Sequence, residues 1–343
     1  MPELVEVENY RRILLRLRDV DTTDSHHHHL CFQRTSKVFP TMRSGFLTLV
    51  EFKSVENCHL HDVERKGKLL RMILKQCSRC IDSTKKHNVR THESNRDHEE
   101  TSQIKEYYLY LHMGMTGIIS SPDNIPSLES QSKKSYPPDH THLIMKVSDQ
   151  LQVAFSDPRR FGGIGLGHDS SLGRQWREIA LDAMDPDLSL DGLVGKTKGI
   201  KSLLLDQKAV LSGVGNWIAD EVLYQSKIHP NQTMLTHEEV SLLKDRLKNI
   251  LIVGNQCLER CEMFPNEWIF HHRWSKGKSV GLKDAKGRSI AFINSGGRSS
   301  AVVPSIQKLM KRRGSTDKEK KRENTKTMII EDLPPSKKRA RNT

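Results

Sequence analysis

Val7, Tyr10, Leu14 and Leu17 recur at three- and four-residue steps with Arg11, Arg12, Arg16 and Arg18 between them. This spacing predicts an amphipathic helix over residues 6–18. From residue 46 to residue 168 the period changes to short apolar or alternating runs at 69–74, 107–113, 143–147, 152–155 and 162–166, with turn residues between them, which predicts a β-rich layer. Residues 77–106 interrupt it with thirty positions of which only five are apolar, too few to offset the entropy of ordering, so this stretch reads as a solvated insert. The segment DAMDPDLSLD at 182–191 has the polar, proline-containing character of a linker. Helical signals follow at 200–206 and 217–227, joined by a glycine turn, and at 236–253. There Thr236 and Glu239 form a capping box, Val240, Leu243, Leu247 and Leu251 make the apolar stripe, and Gly254 is expected to stop the helix. Strand-like runs at 289–293 and 301–303 flank Asn294, Ser295, Gly296 and Gly297, which predicts a hairpin. Beyond Lys311 the chain turns polar and basic, and order is expected to end.

The 343 residues suffice for about two domains and a remainder. A net charge of +13 points to a polyanionic partner, and +7 of it sits in residues 311–343, where twelve Lys or Arg face five Asp or Glu. No apolar run is long enough to cross a membrane, and the chain opens with Glu3, Glu6 and Glu8, so neither a secreted nor a membrane protein is expected. Six cysteines at irregular spacing read as reduced thiols.

The candidate chemistry begins at Pro2 and Glu3. Removal of Met1 would give Pro2 a free secondary amine, and α-amino groups titrate near pH 8, so a useful neutral fraction exists at physiological pH. Such an amine can attack a sugar C1′ and form an iminium ion, with Glu3 beside it to give or take a proton. Many chains begin Met-Pro without any such role, and the pair alone does not decide.

The run MPELVEVENYRR at 1–12 resembles the opening of the formamidopyrimidine-DNA glycosylase family, usually MPELPEVE, with Val5 in place of the second proline, a change expected to loosen the turn into the first helix. Four more blocks match in the family's order: ERKGKLL at 64–70, LHMGMTG at 111–117, DPRRFGG at 157–163 and LLLDQKAVLSGVGNWIADEVLYQSKIHP at 203–230. The resemblance implies that Pro2 is the nucleophile, that Glu3 is the general acid for sugar-ring opening, and that Glu6 belongs to the catalytic set. Lys68 takes the place of the family's strand-borne lysine and is expected to bind the phosphate at the lesion. An enzyme that acts on a base inside a duplex must extrude it and fill the vacated stack. The resemblance gives that task to Met115, Arg159 and Phe161, and a backbone contact to His112. The block around Gly213-Val214-Gly215-Asn216 is similar to the family's helix-two-turn-helix, whose glycines and free helix-start amides suit a phosphate. Asn216 is the matching phosphate ligand, and Lys201 aligns with a DNA-binding lysine of the family.

No cysteine follows Cys261, so the four-cysteine zinc finger of bacterial relatives cannot form there. The segment KGRSIAFINSGGRSSAVVP at 286–304 instead resembles the zincless finger of plant and fungal members, with Arg298 at its tip. The pairs Cys77/Cys80 and Cys257/Cys261 and the tract His26–His29 are not expected to hold a metal, and no cofactor is expected.

The expected fold is α+β: an N-terminal catalytic β-sandwich domain with a flanking helix over 1–181 (insert 77–106), a linker at 182–191, a helix-two-turn-helix domain over 192–285, a zincless finger hairpin at 286–310 and a disordered basic tail at 311–343. The expected protein is a monomeric bifunctional DNA glycosylase and AP lyase that removes oxidised purines from double-stranded DNA. The alternative is a non-catalytic damaged-DNA-binding protein. PSKKRAR at 335–341 reads as a nuclear localisation signal.

Overall fold

The computed structural model describes residues 2–18, 30–34, 54–55, 58–76, 105–126, 135–277 and 281–312. The histidines 26–29, Cys77 and Cys80, nearly all of the insert, and the tail from residue 313 with its basic run lie outside them.

Helix α1 (Leu4–Leu15) begins where Glu6, one turn in, accepts the N–H of the capping residue Glu3 at 3.1 Å. Its apolar positions divide between two cores. Val7, Tyr10, Ile13 and Leu14 pack into the N-terminal core, whereas Leu4 and Val5 belong to the C-terminal one. Val5 is therefore a fully buried helix residue, and the expected loosening of this entry does not occur.

Two antiparallel four-stranded sheets form the N-terminal unit. One runs β1 (Cys31–Arg34), β6 (Thr141–Lys146), β7 (Gln152–Ser156), β5 (Ile118–Ser120); the other runs β2 (Cys58–Lys66), β3 (Leu69–Gln76), β4 (Glu106–His112), β8 (Gly163–Leu166). Leu70, Met72 and Leu111 from one sheet and Leu143, Val153 and Phe155 from the other share a single core, which makes the predicted sandwich. On the outer face of the second sheet, helix α2 (Ser171–Glu178) closes a small cluster around Tyr110 and Leu172.

The C-terminal unit holds α3 (Ile200–Leu204), α4 (Asn216–Gln225) and α5 (His237–Glu259). Thr236 and Glu239 exchange the expected capping-box bonds at 3.3 and 3.0 Å. Helix α5 does not stop at Gly254 but continues to Glu259. A Cβ at residue 254 would lie 3.2 Å from Val5 Cγ1, so this glycine serves the close approach of α1 and not the end of a helix. The expected linker is also different in kind: Ala183, Leu188 and Leu190 are buried in the helical core, and their polar neighbours hid them.

Strands β9 (Ala291–Ser295) and β10 (Arg298–Val302) form the hairpin around Gly296 and Gly297, both at positive φ (59° and 69°). Two consecutive left-handed residues match the twist of the flanking strands and put Arg298 at the first position after the turn. Among the described residues no group of three or more His, Cys, Asp or Glu is placed to hold a metal ion, and no helix is long and apolar enough to cross a membrane.

Asp220 on α4 ties the hairpin to the helices. Fully buried, it accepts from Lys201 Nζ at 2.5 Å, Arg273 Nε at 2.8 Å and the N–H of Ala301 at 3.4 Å, and Lys201 also bonds Ser300 Oγ. Replacing Asp220 by Ala leaves the Lys201 ammonium buried and unpaired, a change that costs about 3–5 kcal/mol. Urea unfolding of Asp220→Ala should reveal a loss of that size, and the double variant Lys201→Met/Asp220→Leu should recover much of it.

Candidate active site

The site is organised by the first turn of α4. Its N–H groups have no partner within the helix, and the Glu3 carboxylate meets three of the local donors: Gly215 N–H and Ile218 N–H on Oε2, both at 3.0 Å, and Trp217 N–H on Oε1 at 2.8 Å. The positive end of the helix dipole favours a negative group in this place. Glu3 is 3% exposed, so these bonds also replace the water it has lost. The glycines of the helix-two-turn-helix take on a different meaning here. A Cβ on Gly215 would sit 2.3 Å from Glu3 Cδ, and one on Gly213 would sit 2.4 Å from Leu4 Cδ1. They admit the chain's own N-terminus. The expectation that this helix start offers its amides to a phosphate is therefore narrowed, because Glu3 occupies those of Gly215, Trp217 and Ile218 but not that of Asn216.

Behind Glu3, Glu6 accepts the indole N–H of Trp217 at 3.1 Å as well as the N–H of Glu3. Burial, reinforced by the nearby charge of Glu3, raises its carboxyl to about 7. Glu6 is 7% exposed and holds Glu3 in place from within the fold.

Lys68 lies not within a strand, as the sequence suggested, but in the tight turn Gly67–Lys68 between β2 and β3. That turn is pinned to the helical unit. The carboxylate of Asp182 accepts the N–H of Gly67 at 2.6 Å and pairs with Arg65, which also meets Glu8 at 2.8 Å. Burial lowers the Lys68 ammonium pKa, and the positive charge of Arg298 acts in the same direction, while Glu3 and Glu6 oppose it. Burial likewise lowers the pKa of His112, with the charge of Lys68 contributing.

Glu3, Lys68, His112, Met115, Asn216 and Arg298 line one cavity of about 570 Å³ between the two units. Residues separated by up to 295 positions in the chain thus share one wall system. Among the described residues, neither Lys68 nor Arg298 has a carboxylate within ion-pair distance, so two cations face the cavity with no salt-bridge partner. Asn216 donates its amide N–H to the carbonyl of Ser299 at 3.2 Å and thereby links the start of α4 to β10.

Arg159 and Phe161 lie on the neighbouring loop. Asp157 organises it by accepting from Thr116 Oγ1 at 2.6 Å and from the N–H of Gly162 at 2.7 Å. A Cβ on Gly114 would stand 2.3 Å from the Phe161 carbonyl carbon, so the Met115 loop and the Arg159–Phe161 loop lie against each other. Met115 is 38% exposed, and the Arg159 guanidinium sits 5.1 Å from the Phe161 ring centre. Lys201 does not join the site. It is fully buried, and its ammonium is held by Asp220 and Ser300, so the expected DNA contact is corrected to a structural one. Sequence reasoning missed Asp182 and Arg65, which position the Lys68 turn, and Arg273 and Trp274, which also line the cavity. The aromatic density of residues 264–274 was the available signal for the last two.

The N-terminal domain model of formamidopyrimidine-DNA glycosylase matches residues 1–164, and the H2TH domain model of the same family matches 177–258. The chain belongs to the formamidopyrimidine-DNA glycosylase family. A formamidopyrimidine-DNA glycosylase of Arabidopsis thaliana is 36% identical over 185 residues, 52% of this chain and 46% of that protein. One from Roseiflexus sp. (strain RS-1) is 37% identical over 155 residues, 42% of this chain and 51% of that protein. The matched stretch spans about half the length of these curated relatives. The fold is also that of Lactococcus lactis formamidopyrimidine-DNA glycosylase, solved non-covalently bound to DNA with an AP site (23% identity, TM-score 0.55, covering 89% of this chain and 99% of that one). A second L. lactis complex, with DNA containing an oxidised pyrimidine, has 23% identity and a TM-score of 0.59 and covers 90% of this chain and 100% of that one.

The raised Glu6 carboxyl makes a signed prediction. With its pKa moved from 4.5 to about 7, the folded chain holds this proton more tightly than the unfolded chain does. The stability it contributes is fully present below pH 4.5 and lost as pH rises through about 7. Glu6→Gln removes this titration. The difference in Tm, wild type minus variant, should fall steadily between these two pH values, and a flat difference would contradict the charge burial. The slope is the readout, because the amide also loses one of the two acceptors.

Proposed function

We propose that this chain is a bifunctional DNA glycosylase and AP lyase of base excision repair that acts, as a monomer, on oxidised purines in double-stranded DNA without a metal or organic cofactor. One observation carries the reading: the fixing of Glu3, and with it the adjoining Pro2, on a cavity that also presents Lys68 and Arg298. The relatives named formamidopyrimidine-DNA glycosylase support it, as do the L. lactis structures bound to AP-site and oxidised-pyrimidine DNA.

In this reading the Pro2 nitrogen, freed by removal of Met1, attacks the sugar C1′. The bond from C1′ to the base breaks, its electron pair leaves with the base, and the base takes a proton from water. The proton that the Pro2 nitrogen loses on bonding C1′ passes through the Glu3 carboxylate to the ring oxygen as the sugar opens, and the lone pair this frees on nitrogen forms the iminium. The iminium acidifies the C2′ proton. Its removal expels the 3′ phosphate oxygen, and a second elimination expels the 5′ one. Lys68 and Arg298 hold phosphates through charge-assisted bonds, Asn216 adds a neutral phosphate contact, and His112 contacts the backbone. Met115, Arg159 and Phe161 fill the vacated stack, with Arg159 bonding the orphaned partner base. The hairpin acts as a zincless finger, and the basic run at 335–341 directs the chain to the nucleus.

Borohydride treatment during reaction with a duplex containing an abasic site should trap a covalent complex through the N-terminus. Retention of Met1, or Pro2→Gly, should collapse base excision while duplex binding survives, with residual trapping allowed for the primary amine of glycine. A chain that keeps Met1 and excises at the wild-type rate would sink the mechanism. Arg298→Ala should weaken binding to damaged and undamaged duplexes alike by about 1–3 kcal/mol and lower the salt slope by about one, with no change in Tm.

A further inference from the structure

A second hollow, about 610 Å³ in volume, lies between α2 and the outer face of the β2–β3–β4–β8 sheet and is lined by Lys66, Arg71, His168, Asp169, Trp176 and Arg177. Helix α2 separates it from the active-site cavity. Gln175 of that helix and Ile179 just after it line the cavity, whereas Trp176 and Arg177 line the hollow. Lys66 and Lys68 flank Gly67 in one turn. Their Cα atoms are therefore at most about 7 Å apart, the axial rise of about two nucleotides along one strand of a duplex.

The charges of the hollow are held in two ways. Arg71 is neutralised, because it pairs with Glu64, and its guanidinium sits 5.4 Å from the ring centre of Tyr108 and 4.8 Å from that of Trp176. Lys66 and Arg177 are not. The ammonium of Lys66 donates to the carbonyl of Trp176 at 3.2 Å, and the guanidinium of Arg177 donates to the carbonyl of His168 at 2.7 Å. A carbonyl fixes a cationic head without cancelling its charge. Among the described residues neither cation has a carboxylate within ion-pair distance, and Asp169 is the one carboxylate in the lining. The hydroxyl of Tyr110 meets His168 Nδ1 at 2.7 Å, which leaves Nε2 of this exposed histidine without a partner among the described residues. A hydroxyl that donates to Nδ1 places the imidazole proton on Nε2, which adds a third donor beside the two cations. Such a set suits a phosphate group. An acidic peptide would meet the same charges, but the continuity of the hollow with the cavity at Lys68 favours the strand that the glycosylase reading places there.

We propose that this hollow is a second phosphate subsite, in which Lys66 and Arg177, with His168 beside them, grip the backbone of the bound duplex a few nucleotides from the lesion. This rests on the glycosylase reading above and adds to it a contact outside the active site. The subsite touches neither the damaged base nor its sugar. It therefore contributes to affinity and to the register of the duplex, and not to the chemical steps.

The test compares the full chain with the double variant Lys66→Gln/Arg177→Gln on a duplex that carries an abasic site. With both charges gone the salt slope of duplex binding should fall by about two. Tm should not change, and strand cleavage in single-turnover reactions at saturating enzyme should run at the wild-type rate. The position of the contact is read by replacing single phosphates, two to five nucleotides from the abasic site on either strand, with uncharged methylphosphonates. The wild type should lose about 5-fold in affinity at one or two of these positions, and the double variant should lose nothing further there. An unchanged salt slope overturns the proposal, and so does a variant that stays as sensitive as the wild type to every methylphosphonate. A fall of the same size for Lys244→Gln/Arg246→Gln, which removes two charges from the exposed side of α5, overturns it as well, because net charge would then account for the effect. If the wild type binds polyglutamate and the double variant loses that binding while its duplex binding is unaltered, the hollow is a protein-docking surface and the proposal is overturned. A wild-type chain that binds the duplex but leaves the abasic strand uncut would overturn the glycosylase reading instead, in a pattern distinct from all of these.

Discussion

A single carboxylate, that of Glu3, ties the two halves of the molecule together at the point where chemistry is proposed. It meets three N–H groups at the head of α4, and Gly213 and Gly215 are required because any side chain there would collide with Leu4 or Glu3. The start of the chain is thereby inserted into the domain farthest from it in sequence. Because α1 has Leu4 and Val5 in one core and Val7 to Leu14 in the other, docking of this end and association of the two cores are one event. An N-terminal amine on such a chain is held in place only when the whole fold is complete.

The electrostatics follow from this arrangement. Glu6 lies deep enough that its own carboxyl is pushed up, yet its two oxygens take the N–H of Glu3 and the indole N–H of Trp217, so the pair of glutamates is supported from beneath by hydrogen bonds. On the open side burial, and after it the charge of Arg298, lower the pKa of Lys68, and nothing on the described surface neutralises the two cations by an ion pair. The site thus stores positive potential opposite an N-terminus whose nearest carboxylate is already committed to a helix. An anionic ligand relieves the repulsion, and this adds to the direct contacts it makes.

Much of this was legible in the sequence, and the failures have identifiable physical causes. Apolar runs gave five of the eight strands of the sandwich, β3, β4, β6, β7 and β8, and the periodicity of residues 236–251 gave α5, because burial on one face leaves a strong periodic trace. The capping box at Thr236 and the Gly-Gly hairpin turn were legible because backbone geometry restricts which residues can stand there. The motif blocks led to Glu3, Lys68, His112, Met115, Asn216 and Arg298, which the fold brings to one cavity. What local pattern cannot carry is the identity of a distant neighbour. Gly254 reads as a helix stop until Val5 is seen against it, Lys201 reads as a DNA-binding lysine until Asp220 is seen beside it, and the polar stretch 182–191 hides three core residues and the Asp182 anchor.

The sharing of α1 between the two cores has a mechanical consequence. A helix embedded in both halves, rising about 1.5 Å per residue, acts as a strut between them. The Asp182 clamp on Gly67 and Arg65 braces the two halves from a second point. For the duplex of the proposed function, a mouth braced at two points places part of the fit on bending of the DNA, at an elastic cost that depends on the stiffness of the steps being bent.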